Sequence, residues 1–247
     1  MAVGQLFNML IIIQARMGSS RLPGKILKEV CGMPSIIYQI NRIKIIANNK
    51  IHLVVATTTN SKDDVLCDLL EKNKVSFFRG SENDVLKRFL DCAKLYEANY
   101  ITRINADCPL ICPEIIDKTV KKIMSNKSID YASTILDETF PLGMHVECFK
   151  TSVLEDISKT KLTLEDREHV TPGIYRNKKY SLCSIRNNQN KSNFRLTVDF
   201  AIDLEVVNEI ASSFKDNTYN CNDIVKFLEN NPEIAMKNLE LIKKQKL

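Results

Sequence analysis

Two aspartates and a cluster of cations are the residues of this chain best suited to chemistry. Arg16, Arg21 and Lys25 fall within ten residues of one another, interleaved with Gly18, Ser19, Ser20 and Gly24, directly after the apolar run at 9–13. Small residues let backbone N–H groups come close to an anion, and the three cations attract it, so the stretch reads as a phosphate-holding loop on the end of a buried strand. A solvated basic turn is the alternative, and the loop alone does not name the anion. Asp107, in N-A-D-C-P, and Asp199, in L-T-V-D-F, each end a strand-like run. Hard carboxylate ligands at two strand ends, far apart in sequence, are what one Mg²⁺ site requires, with further oxygens from water and substrate phosphates. Taken singly, either aspartate also suits a helix N-cap. Asp203 lies close enough to compete with Asp199 for the second metal position. Arg167, Glu168 and His169 form a charged triplet whose alternative reading is a solvated helix end.

The elements that must position these groups follow from periodicity. Residues 9–13 are short, continuous and apolar, which suits a parallel strand buried on both faces. A helical pattern begins at Pro34 and places Ile36, Ile37, Ile40, Ile43 and Ile46 on one face. Residues 51–56 form a strand, 62–72 a helix, 76–78 a strand, 84–97 a helix, 100–104 a strand and 113–124 a helix. This β-α alternation implies a parallel sheet with helices on both faces and ligands at the C-terminal strand edges. The basic loop and the polar clusters 57–60, 79–83 and 105–107 all fall at such edges, so one crevice can collect all four. The second half is less regular. Strands are expected at 130–132, 144–149, 180–185 and 194–198, and helices at 151–159, 201–212 and 222–228, with a last surface helix from Pro232. The chain reads as one domain over 1–247 with an excursion at about 130–180.

Composition narrows the function classes. A hydrophobic fraction of 44% with 26% charged residues is that of an ordinary globular protein, which argues against disorder. The net charge of +5 is small and dispersed, and without Trp there is no base-stacking platform, so nucleic acid is not the expected partner. No apolar run approaches the length of a membrane span, and residues 1–8 lack a charged leader, so a cytoplasmic location without a membrane partner is expected. Of the eight cysteines only Cys108 and Cys112 lie close together, and no second pair or nearby His completes a zinc site. Reduced thiols are the expectation.

The stretch I-I-Q-A-R-M-G-S-S-R-L-P-G-K resembles the opening motif of the spore coat polysaccharide biosynthesis protein F (SpsF) family of cytidylyltransferases, relatives of the CMP-sialic acid and CMP-Kdo synthetases. V-A-T-T-T-N at 55–60, R-G-S-E-N-D-V-L at 79–86, A-D-C-P-L at 106–110, R-E-H-V-T-P at 167–172 and L-T-V-D at 196–199 resemble it in the same order. The resemblance implies a Rossmann-like, GT-A-like nucleotidyltransferase fold, a three-layer α/β sandwich with a mostly parallel central sheet and a small β-rich excursion. It also implies transfer of CMP from CTP with release of pyrophosphate, in bacterial surface polysaccharide or glycan synthesis. By this resemblance Arg16, Ser19, Arg21 and Lys25 hold the triphosphate within the loop of Gly18, and Ala15 brings the backbone to the cytidine. Thr57, Thr58, Asn60, Arg79, Ser81 and Asp84 border base and ribose. Asp107 and Asp199 hold Mg²⁺, and these two with Arg16 and Lys25 carry catalysis.

The acceptor, a sugar or other small molecule, faces a wall at 140–147 and 167–171 with His145, Glu147, Arg167 and His169. Glu147 and Arg167 are alternatively a structural ion pair. Members of the family often have Asp where this chain has His145, a departure that bears on the acceptor rather than the reaction. Related synthetases suggest a homodimer through the excursion. Two other functions remain open: a nucleotide-binding scaffold without turnover, and a glycosyltransferase using a finished sugar nucleotide. A D-x-D pair near Asp107 is missing for the latter, although D-x-x-x-D occurs at 199–203.

Overall fold

The computed structural model describes residues 9–46 and 51–245. The first half alternates as the periodicity implies: β1 (Met9–Gln14), a short hairpin of β2 (Glu29–Val30) and β3 (Met33–Pro34), α1 (Ser35–Ile43), β4 (Ile51–Thr58), α2 (Asp64–Lys72), β5 (Phe77–Gly80), α3 (Val85–Leu95), β6 (Tyr100–Asn105) and α4 (Pro113–Ser125). The second half adds β7 (Tyr131–Ser133), β8 (Glu147–Lys150), α5 (Thr151–Ser158), α6 (Leu164–His169), α7 (Pro172–Tyr175), β9 (Leu182–Ser184), α8 (Ala201–Ser212), α9 (Cys221–Asn230), α10 (Pro232–Met236) and α11 (Leu239–Gln245). The features sought in residues 1–8 lie outside the described residues.

The central sheet has the order β5-β4-β1-β6-β8-β7-β9. The pairs among β5, β4, β1 and β6 are parallel, and β8 joins β6 and β7 in antiparallel fashion. Residues 130–180 therefore extend the main sheet by two strands before three helices pack beside it. β1 is buried from Met9 to Ile13, and its alternate residues serve opposite layers. Met9, Ile11 and Ile13 pack with Ile36, Ile40 and Ile116, while Leu10 and Ile12 pack with Phe89, Leu90 and Leu154. Each such side chain contributes about 1.5–3 kcal/mol by leaving water, so the strand that carries the cationic loop is anchored in both layers of the core.

Two expected strands are corrected, and one hairpin is added. The hairpin of β2 and β3 was not apparent; its two-residue turn puts Cys31 at φ 49° and Gly32 at φ 77°, the twist that joins antiparallel strands. Residues 194–198 run extended but form no ladder strand. They are a strap bonded at Leu142, where the Leu142 amide donates to Phe194 O at 2.9 Å and the Leu196 amide donates to Leu142 O at 2.7 Å. Of the strand expected at 144–149 only Glu147–Lys150 forms, because residues before it turn to meet this strap. All eight cysteines are free thiols. No helix among the described residues is long and apolar enough to cross a membrane.

Candidate active site

The loop after β1 is shaped before any ligand arrives. The Ala15 amide donates to Ala56 O at 3.1 Å, and Ser19 Oγ accepts from the Leu22 amide at 3.3 Å. Gly24, at φ 65°, then turns the chain into a single 3₁₀ turn that begins with Lys25. Asp63, which sequence reasoning did not single out, ties the loop to β4. Its Oδ1 accepts from the Met17 amide at 2.7 Å, and its Oδ2 accepts from Thr57 Oγ1 at 3.0 Å and from the Thr58 hydroxyl. Burial pushes the Asp63 carboxyl up, but the bonds from Thr58, the Met17 amide and Thr57 outweigh it and hold the pKa below the ordinary value.

Lys25 joins the two aspartates. Its Nζ donates to Asp107 Oδ2 at 2.8 Å and to Asp199 Oδ1 at 2.9 Å, and Arg21 reaches the same Asp199 oxygen at 2.6 Å. Burial lowers the Lys25 pKa, but Asp107 and Asp199 raise it more, so the ammonium stays charged. Burial likewise raises Asp199, and Lys25, Arg21 and Arg195 more than offset it, leaving its pKa depressed.

The choice between Asp199 and Asp203 has a geometric answer. Asp203 is fully buried, takes Arg195 Nε at 2.8 Å and Arg195 Nη2 at 3.0 Å, and accepts the Asp199 and Phe200 amides at 3.0 Å each. With Asn238 Nδ2 also at 3.0 Å, its oxygens are occupied inside the fold. Asp199 alone of the pair meets Lys25, so the D-x-x-x-D spacing does not make a metal pair. No cluster of three or more His, Cys, Asp or Glu side chains among the described residues forms a self-contained metal site. Two carboxylates gathered on one ammonium nevertheless fit Mg²⁺, which takes hard oxygen donors and shares substrate phosphates.

A cleft of about 400 Å³ opens over the cationic loop and Asp107, lined by Gln14, Ala15, Arg16, Gly18, Ser19, Arg21, Lys25, Arg103, Asn105, Asp107 and His169 among others; Asp199 lies behind Lys25 and is not among the lining residues. Of the four polar clusters expected in one crevice, the basic loop and 105–107 line it. Thr57, Thr58, Asn60, Arg79, Ser81 and Asp84 are not among the lining residues, and their polar groups are used within the fold. Thr57 and Thr58 bind Asp63; Arg79 donates to Thr58 O at 2.8 Å and Asn60 O at 2.9 Å and pairs with Asp64 at 2.7 Å. Ser81 Oγ accepts the Asp84 amide at 3.0 Å, and Asp84 caps α3 through the Lys87 amide at 2.9 Å.

The residues expected to face the acceptor separate in the same way. Glu147 pairs not with Arg167 but with Arg103, and it also accepts from Tyr131 Oη at 2.7 Å and from Thr171 Oγ1. Arg167 instead binds Asp84 at 2.7 Å. The alternative of a Glu147–Arg167 ion pair is therefore overturned in favour of two other pairs, because β8 sets Glu147 beside Arg103 of β6. His145 is partly buried and does not line the cleft; burial lowers its pKa, against the opposing pull of Glu147, Glu138 and Asp107. His169 is exposed on the cleft wall. It precedes Val170, whose φ of 70° is uncommon for a β-branched residue, with the Thr171 amide bonded to His169 O at 2.8 Å. That turn lets one short segment present His169 to the cleft and Thr171 to Glu147. Arg103, which the sequence reading passed over, lines the cleft and is braced by Gln14 Oε1 at 3.1 and 3.2 Å. An arginine inside an apolar strand, two residues before Asn105, was its available signal.

A family model described as cytidylyltransferase matches residues 10–239. The spore coat polysaccharide biosynthesis protein SpsF of Bacillus subtilis is 29% identical over 92% of this chain and 97% of its own length. A cytidylyltransferase structure from Leptospira borgpetersenii serovar Hardjo-bovis is 34% identical with a TM-score of 0.89, covering 93% of this chain and 97% of that one. A CMP:2-keto-3-deoxy-manno-octonic acid synthetase complexed with CTP shares the fold, at 16% identity and a TM-score of 0.64 over 83% of this chain and 99% of that one. The family match runs through the cationic loop, both aspartates and the strap, so kinship and geometry concern the same residues, and the chain belongs to the cytidylyltransferase family of CTP-dependent nucleotidyltransferases.

Proposed function

We propose that this protein is a Mg²⁺-dependent cytidylyltransferase that transfers CMP from CTP to a small acceptor, releasing pyrophosphate, to make a CMP-linked precursor for surface polysaccharide or another glycan. The observation that carries this reading is Lys25 held between Asp107 and Asp199 beside the loop of Arg16 and Arg21. An acceptor oxygen forms a bond to the α-phosphorus while the bond from that phosphorus to the bridging oxygen of pyrophosphate breaks. Negative charge gathers on the nonbridging and leaving oxygens, and Arg16, Arg21 and Lys25 stabilise it from fixed positions. Asp107 and Asp199 would hold Mg²⁺, which when bound supplies further positive charge to those oxygens. The cleft walls hold acceptor and phosphate in line, and this positioning provides much of the remaining acceleration.

Arg103, Asn105 and His169 are the groups that meet the acceptor in this reading, with Arg103 steadied by Glu147 and Gln14. SpsF kinship supports the polysaccharide setting, and the CTP complex of the Kdo synthetase supports the nucleotide. A cytoplasmic location and a homodimer through residues 130–180 belong to the same proposal. The test is pyrophosphate release from CTP with Mg²⁺ and a panel of acidic sugars, sugar hydroxyls, phosphates and phosphonates. Release that requires one acceptor class is the expected result; neither CTP binding nor release with any acceptor would remove the reading.

A further inference from the structure

Val170 adopts φ 70° and ψ −52°, with the Thr171 amide bonded back to His169 O at 2.8 Å. These values describe the less common form of γ-turn, which is strained, the more so in a β-branched residue. A simple link between α6 and α7 would take glycine, which adopts positive φ freely. Here the strain is imposed from both sides. Val170 is fully buried in the layer of Tyr131, Phe149 and Ile174, and the buried Thr171 donates its hydroxyl to Glu147 Oε1. Surroundings that over-determine a strained turn are found where a site needs a side chain held in one place.

Glu147 connects that turn to the cleft. It is buried, its Oε1 also accepts from Tyr131 Oη at 2.7 Å, and its Oε2 takes Arg103 Nη1. Gln14 Oε1 braces Arg103 from the other side, at 3.2 Å from Nε and 3.1 Å from Nη2. Arg103 and His169 both line the cleft, although one belongs to β6 and the other ends α6. The rest of α6 is pinned already. Thr163 and Asp166 form a capping box at its start, and Arg167 binds Asp84, the N-cap of α3, at 2.7 Å. Thr171 then fixes the end of the segment that carries His169.

Resting on the CTP-dependent reading above, we infer that Glu147 and Thr171 are positioning residues for the acceptor: one buried carboxylate sets Arg103 directly and His169 through Thr171 and the strained turn. The two cleft groups, carried on separate elements, are thereby held in fixed relation to each other. A carboxylate can serve both because each of its oxygens accepts separately. Fixed relation matters for transfer, since a misplacement of about 1 Å by a change away from the chemistry can cost about 100-fold in rate. Neither Glu147 nor Thr171 lines the cleft, so each acts on the reaction through Arg103 and His169.

The experiment compares wild type with Thr171→Val, Thr171→Ser and Glu147→Asp by NMR of the histidine Hε1 protons, by calorimetric titration with CTP and Mg²⁺, and by pyrophosphate release against the concentration of whichever panel acceptor supports it. The chain has three histidines, and His52, at the start of β4 and away from the cleft, is an internal reference. Thr171→Val should move the His169 signal, leave that of His52, and reduce kcat/KM for the acceptor about 10- to 100-fold while CTP affinity stays within about twofold of wild type. Thr171→Ser keeps the hydroxyl and should restore both the signal and the acceptor kinetics. Glu147→Asp keeps the charge beside Arg103 but draws the carboxylate back from Thr171, and should act as Thr171→Val does, which keeps the test decisive if the valine variant does not fold. An unmoved His169 signal in a folded variant would overturn the inference, as would equal losses for CTP and acceptor or no recovery in Thr171→Ser, the marks of a role in folding alone. A wild type that binds no CTP would count against the proposed function, while the His169 signal would still decide the positioning role.

Discussion

Lys25 satisfies Asp107 and Asp199 at once, and in the proposed function it also meets the triphosphate. Lys25→Ala should lower pyrophosphate release by about 100-fold or more, with the fold retained by circular dichroism; turnover at the wild-type rate would remove its phosphate role. Asp107→Asn should abolish activity or raise the Mg²⁺ concentration needed, and an unchanged Mg²⁺ titration would take Asp107 out of the metal site. The pH dependence of stability follows from the shifts. Asp199 has a folded pKa below its unfolded one, so its contribution is present above about pH 4 and fades as pH falls through the folded value. His145 is depressed by burial, so stability falls as pH drops from about 6.5 toward its folded pKa. His145→Gln should flatten the melting temperature between about pH 6.5 and 5, and an unaltered slope would show that another group titrates there. The cations and both aspartates were legible because charge on a strand end is conspicuous in sequence. Asp63 and Arg103 were not, because their roles depend on Met17 and Glu147, residues 46 and 44 positions away.

At the level of elements, the strap at 194–198 decides where Asp199 sits. It crosses Gly143, whose φ is 107° and where a Cβ would lie 2.8 Å from both Leu196 C and Thr197 N. Gly143→Ala therefore meets backbone on one side and a disfavoured φ on the other. A loss of roughly 1–3 kcal/mol is expected, read as a lower melting temperature and, because the strap carries Asp199, reduced activity. An unchanged melting temperature would mean the strap yields freely. Periodicity revealed most helices and the parallel strands, since a strand buried on both faces is apolar throughout. It misread the strap because an extended buried segment has the composition of a strand whether or not a ladder forms. It also could not anticipate Val170 at positive φ, a conformation that its β-branched side chain disfavours locally and that surrounding packing imposes.

For the whole molecule, the cleft lies at the C-terminal edges of β1 and β6, with Glu168 and His169 of α6 on its wall. Ligand that binds only the folded state stabilises it, so CTP with Mg²⁺ at about 100 times its dissociation constant should add about 2.7 kcal/mol. The melting temperature should rise with CTP and return when the metal is chelated; equal shifts with CTP and ATP would contradict a cytidine-specific site. The sequence by itself determined the parallel α/β architecture, the cationic loop and the family, because apolar alternation, local charge and motif order are properties of consecutive residues. Only the tertiary structure decided that Asp199 rather than Asp203 faces Lys25, that Glu147 belongs to Arg103 rather than Arg167, and that Thr171 donates to the same Glu147. Each of those depends on which distant groups share a low-dielectric space, where an ion must find a partner, and chain order does not encode that distance.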